Sequence, residues 1–297
     1  MPQSIAPQSY RRGVIYIVFA GVFMSSGGLL VRMIEQADPW TILFYRSITF
    51  AITVLLFMLF RSGKSAFAEF RGFAWLEWIV AVSVGLSFIT YLLSLFYTSV
   101  ANTVIIISSG PLFAAVMGWL VLREVVGIRT WISIALAVSG LLVMFTADVS
   151  LSDILGMAYA LFAVAMFAVM IVAVRRSTRP DMLAATCCAG LVAAIVSAFM
   201  MPSFALSTHD LLVAIGLGSF QIGVSYILIT LGSRSVPSAQ VPILCLPETA
   251  LAPLWVWLSI SETPDATTIV GGALVLSAVV FQGVTGIRRR QKENIVV

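Results

Sequence analysis

Residues 101–124 read ANTVIIISSGPLFAAVMGWLVLRE, and residues 239–262 read AQVPILCLPETALAPLWVWLSISE. Each is a long apolar run that closes on a glutamate, and the second follows the first at an offset of 138 positions. A helix of about 20 apolar residues crosses the roughly 30 Å hydrocarbon layer of a bilayer. A helix is also the form in which a single segment satisfies all its backbone groups without water. Both runs therefore predict membrane-spanning helices.

Eight more runs of this kind lie around them, cut by charged residues, Pro or Gly. The full set is 13–31, 39–60, 75–97, 102–122, 130–146, 154–174, 182–201, 210–231, 238–258 and 267–287. The composition agrees. Only 10% of the 297 residues are charged and 60% are hydrophobic, whereas a soluble domain carries about 25% charged residues. So few charges cannot cover the surface of a soluble chain, and lipid must cover it instead. Arg11 and Arg12 precede the first run as they would in a signal peptide. That run is too long for a signal core and lacks a small-residue cleavage site, so it reads as the first span.

The basic residues orient the spans. Fifteen of the 17 fall at alternate ends: Arg11 and Arg12; Arg61, Lys64 and Arg71; Arg123 and Arg129; Arg175, Arg176 and Arg179; Arg234; and Arg288, Arg289, Arg290 and Lys292. Only Arg32 and Arg46 depart from this pattern. Positive charge collects on the cytoplasmic side. The expectation is a protein of the cytoplasmic (inner) membrane with both termini inside. Loops at 148–153, His209 and Asp265 are then outside. The excess of basic charge is explained by topology and implies no nucleic-acid partner. Cys187, Cys188 and Cys245 all sit in apolar runs with no metal-type spacing and read as small packing residues.

The two halves repeat. At the offset of 138, Gly85 meets Gly223, Ser87 meets Ser225, Ala101 meets Ala239 and Glu124 meets Glu262. At an offset of 143, Gly13 meets Gly156, Tyr16 meets Tyr159, Phe19 meets Phe162, Ala20 meets Ala163 and Arg32 meets Arg175. Five spans is an odd number, so the second repeat enters the membrane from the opposite side. The expected fold is an all-α membrane protein of ten transmembrane helices in two inverted five-helix repeats, 13–147 and 154–287, followed by a basic cytoplasmic tail, 288–297. Inverted repeats about a midplane site are the architecture of many secondary transporters.

The stretch 101–140, with Pro111 thirteen residues before Glu124 and a Gly/Ala-rich helix after it, resembles the EamA-type repeat of the drug/metabolite transporter superfamily. Residues 238–278 resemble its second copy, and Arg46 stands where that family often carries an arginine. The second copy has Thr249 at the position of Pro111, with Pro247 two residues earlier, which shifts its helix break. The resemblance implies export of small metabolites, among them amino acids and notably aromatic ones.

Ionisable groups in mid-membrane each cost roughly 3 kcal/mol or more, and so mark function. Glu248 lies midway along the ninth run, between Pro242, Pro247 and Pro253. It could hold a substrate amine, carry a proton, or bond a neighbouring helix. Arg46 could meet a substrate carboxylate, pair with Glu248, or extend to the headgroups. Ser83, Ser87, Thr90 and Ser94 form one face of the third span. The equivalents in the eighth are Gln221, Ser225, Leu228 and Gly232, with Tyr91 and Tyr226 beside these faces. Such faces either line a cavity or pack helices closely. Ser25, Ser26, Gly27 and Gly28 suggest a hinge or close contact, and Glu124 and Glu262 suggest caps on the turns that follow them.

The single histidine and the lack of H-E-x-x-H and G-x-S-x-G remove the usual hydrolase and metal sites. With no G-x-x-x-x-G-K-[ST] either, this chain is not an ATP-driven machine. No cofactor is implied. One arginine and one glutamate within spans suit a zwitterionic or amphipathic small molecule better than a phosphorylated one, which wants several fixed cations. A membrane scaffold or receptor that transports nothing is the rival reading. Besides that ligand, the bilayer is the expected partner, and a monomer suffices.

Overall fold

The computed structural model describes residues 7–98, 103, 106, 107, 109–144, 154–179, 182–260, 269–271, 273–282 and 284. Glu262, Asp265, the loop at 148–153 and the basic tail lie outside the described residues, as does the side chain of Arg32. The described residues are helical with no strands. Six stretches are long and apolar enough to cross a membrane: Gln8–Val31, Pro39–Phe70, Trp75–Ser94, Ile154–Arg176, Leu183–Met200 and Thr208–Ser233. The chain is a multi-pass membrane protein.

In chain order the elements are α1 (Pro7–Met24), α2 (Gly27–Arg32), α3 (Pro39–Ser62), a 3₁₀ segment (Gly63–Phe70) and α4 (Trp75–Tyr97). Then come α5 (Gly110–Leu122), α6 (Ile128–Met144), α7 (Ile154–Arg176) and α8 (Leu183–Met200). The eighth expected span is α9 (Thr208–Ile215), a π-helical segment (Gly216–Val224) and α10 (Ser225–Ser233) in succession. The last elements are α11 (Gln240–Cys245), α12 (Pro247–Ile260) and α13 (Ile269–Gln282).

Local chemistry sets these boundaries. The Asp38 carboxylate accepts the Trp40 N–H at 2.9 Å, and Pro39 opens α3 where its missing N–H costs nothing. Gly63, at φ +56°, ends the same helix. The Glu77 carboxylate accepts the Ala74 N–H at 2.9 Å at the start of α4.

Two expected spans are broken. The first turns at Ser25–Ser26, where the hydroxyls donate to Val22 O and Phe23 O within the same turn. The ninth does not run unbroken from 238 to 258; it stops at Cys245 and restarts at Pro247. Proline cannot donate to the preceding turn, and it disfavours helical geometry in the residue before it. Such breaks persist in a membrane only where protein or a cavity covers them. The Trp255 indole N–H donates to Ser25 Oγ at 2.6 Å, tying α12 to the break in α1.

The halves interleave. The densest packing joins α4 with α7 and α8, α3 with α8, and α1 with α10. The π segment lies against α3 at Gly218, where any Cβ would fall on Thr49 Oγ1 and Arg46 O. Only glycine permits that approach, and it fixes the stretch of α3 that carries Arg46.

Candidate functional site

Between these helices lies a cavity that encloses about 850 Å³ of space outside atoms, its opening included. Helix α3 contributes Arg46; α4 contributes Ser87, Phe88 and Tyr91; α7 contributes Ala163, Val164 and Phe167. The π segment and α10 supply Gln221, Ile222 and Tyr226. Met24 borders it at the break in α1, and Ile107, Gly110 and Pro111 at the start of α5. The break in the ninth run brings Pro242, Cys245, Leu246, Glu248 and Thr249 to the same wall. Residues at both helix breaks therefore border the cavity.

The wall is mostly apolar, with polar groups set singly. The Arg46 side chain is 6% exposed, and its guanidinium lies over the Phe88 ring, 5.6 Å from the centroid. Phe88 and Tyr226 meet edge to face at 4.9 Å; Phe50 completes the cluster behind them, and Phe167 meets Tyr226 at 6.1 Å. Arg46 Nε has no hydrogen-bond partner. Ion pairs among the described residues include Arg175–Glu124, Arg179–Glu77 and His209–Glu35, and neither Arg46 nor Glu248, which both border the cavity, takes part in one. Neither does Arg46 extend to the headgroups, because α3 places it among packed helices. Gln221 Nε2 donates to Met24 O at 3.4 Å, while Gln221 Oε1 is buried without a partner.

Six of the ten residues singled out in the sequence thus border one cavity: Arg46, Ser87, Tyr91, Gln221, Tyr226 and Glu248. The other four do not. Ser83 bonds Val80 O, Thr90 bonds Leu86 O, and Ser94 bonds Tyr91 O and Thr103 Oγ1. Ser225 donates to Ala20 O at 3.1 Å across to α1. Ser87 makes the matching bond to Ala163 O, also at 3.1 Å, across to α7. Phe88, Phe167, Cys245 and Thr249 were not legible as lining, since in an apolar run they look like packing residues.

At the end of the bundle that carries the basic residues, α5 packs against α11 along a seam. A Cβ on Gly110 would lie 3.4 Å from Pro242 Cβ, and one on Gly118 would lie 3.1 Å from Ser238 Cβ. A left-handed turn at Arg123, φ +54°, folds Glu124 back over Gly118. Glu124 does not cap the turn after it, as its position suggested. Its carboxylate accepts the Ser238 N–H at 3.0 Å and pairs with Arg175, whose guanidinium also bonds Val236 O. The Tyr10 hydroxyl donates to Gln240 Oε1 at 2.8 Å beside the seam. At the other end, His209 contacts Met33 O at 2.9 Å, and Asp210 accepts the Glu35 and Gln36 N–H groups.

The described helices thus enclose a small cavity whose wall carries Arg46 and Glu248 as single charges. Residues 11–146 match the EamA-like transporter family. An uncharacterized transporter of Archaeoglobus fulgidus is 24% identical over 273 residues, which are 91% of this chain and 96% of the relative. A crystal structure of a protein at 16% identity superposes with a TM-score of 0.80 over 93% of this chain and 98% of its own, a likeness of fold alone.

Proposed function

We propose that the chain is a secondary transporter of the cytoplasmic membrane that exports small amphipathic metabolites, amino acids with aromatic or neutral side chains foremost. The observation that carries this reading is the arrangement of Arg46 and Glu248, a buried cation and a carboxylate on one cavity wall that do not pair with each other. A buried charge left without a partner is costly, so the cavity favours a ligand that brings the opposite charges. In this reading Arg46 holds a carboxylate and Glu248 an ammonium, and Phe88, Phe167, Tyr91 and Tyr226 cover the body of the substrate.

The two breaks and the seam support a reading of alternating access. The repeat reading gains support from the bonds of Ser87 to Ala163 O and Ser225 to Ala20 O. They are equal in length, and the offsets of 138 and 143 interchange them. Two inverted five-helix units exchanging conformations would part α5 from α11 at one face and close the other. Both termini lie on the cytoplasmic side by the charge pattern.

The test is flux in proteoliposomes with a panel of labelled amino acids, run with and without a pH gradient. Transport of aromatic or neutral amino acids is the expected result. Glu248→Gln should raise the apparent KM if the carboxylate holds the amine, or abolish gradient-driven accumulation while sparing exchange if it carries the proton. If correctly inserted wild-type protein moves none of the panel, the substrate reading fails.

A further inference from the structure

The cavity contains one buried acceptor that the reading above does not use. Gln221 is 6% exposed and stands on the π segment, where the wide turns direct it inward beside the break in α1. Its amide has a defined orientation, because only the NH₂ end can satisfy the Met24 carbonyl, at 3.4 Å. A Cβ on Gly27 would lie 2.8 Å from that nitrogen, so the residue after the break leaves just enough room for the amide. Oε1 then remains, buried and unpartnered, on the wall that also holds the unpartnered Arg46 Nε. One orphan is an acceptor and the other a donor.

We propose that Gln221 is a specificity-determining residue, whose Oε1 takes an N–H from the substrate's ammonium group. The inference rests on the zwitterion reading and adds a requirement to it. Glu248 answers the positive charge, which any ammonium supplies. Gln221 answers the N–H itself, which a quaternary ammonium lacks. A site whose buried polar group is satisfied only by the right ligand rejects the analogue that leaves it unpaired far more strongly than a fit of shape does.

Three probes separate these demands: phenylalanine, its N,N,N-trimethyl derivative, which keeps the charge without an N–H, and 3-phenylpropionate, which has neither. Binding to the full chain in lipid nanodiscs is measured by calorimetry. Wild-type protein should bind phenylalanine most tightly. Gln221→Met, of similar volume, should weaken phenylalanine by about 10- to 100-fold, the loss of a hydrogen bond to a charged group. The same change should leave the trimethyl derivative unchanged or better bound. Gln221→Glu keeps an acceptor but loses the amide donor to Met24 O, and should still prefer phenylalanine to the trimethyl derivative.

Equal weakening of both ligands by Gln221→Met would mean that Gln221 acts only through Met24 and the helix break, and would overturn the proposal. Loss of the preference in Gln221→Glu would do the same. The zwitterion reading fails separately, and the proposal with it, if wild-type protein binds phenylalanine no better than 3-phenylpropionate.

Discussion

Glu124→Gln tests whether the α5–α11 seam at the basic end of the bundle acts as a gate, as the proposed mechanism requires. The carboxylate accepts the Ser238 N–H at 3.0 Å and pairs with Arg175; the two charged side chains are 20% and 14% exposed. Glutamine retains an acceptor for Ser238 but loses the charge. A hydrogen bond to a charged group contributes about 1.5–3 kcal/mol, and a surface ion pair no more than about 1. The pair is neither fully buried nor free in water, and Arg175 keeps its bond to Val236 O, so a loss of about 1–2 kcal/mol is the working figure. Each 1.4 kcal/mol is a factor of ten, so opening at the α5–α11 seam should become roughly 5- to 30-fold more frequent. Cys245 on the cavity wall reports this directly once Cys187 and Cys188 are replaced by serine. A charged thiol reagent applied to the face bearing the basic ends should modify Cys245 faster by that factor in the variant. From the other face the rate should hold or fall. An unchanged rate in a fully helical variant would refute a role for the Glu124–Arg175 pair in holding the seam, and equal acceleration from both faces would mean general loosening rather than opening of the seam.

Two further outcomes follow from packing. Ser87→Trp should insert normally and abolish flux, because Ser87 borders the cavity. Ser225→Trp should fail to reach the membrane folded, because Ser225 is fully buried between α10 and α1; yield of monodisperse protein and proteoliposome flux check both, and equal behaviour would contradict the geometry. Gly218→Ala should lower stability by about 1–3 kcal/mol, the cost of overpacking a tight contact, with weaker substrate binding as Arg46 shifts. Thermal unfolding in detergent measures the first, and an unchanged Tm would show that the π segment does not need its close approach to α3.

The sequence by itself determined the membrane environment and the helical class, and it marked residues at which the chain can break. Those signals are local: apolar length, the placement of basic residues, and prolines that cannot donate a hydrogen bond. Pro247 ends α11 as its covalent structure requires, and Ser25–Ser26 turns where the sequence has small residues. Glu248 and Arg46 stood out because a charge among apolar neighbours is conspicuous in one dimension. The rotation of each helix was a matter for the tertiary structure. In a membrane both lipid and protein interior are apolar, so no hydrophobic stripe marks the inner face. Ser87 and Ser225, 138 positions apart, carry the same hydroxyl and each bonds a backbone carbonyl of the other half of the chain, yet only Ser87 borders the cavity. Glu124 likewise ends its run as a cap would, but its partners come from Arg175 and Ser238 in the other half of the chain. Which groups satisfy a buried charge depends on helices brought together from distant parts of the chain, and neither spacing nor composition records that meeting.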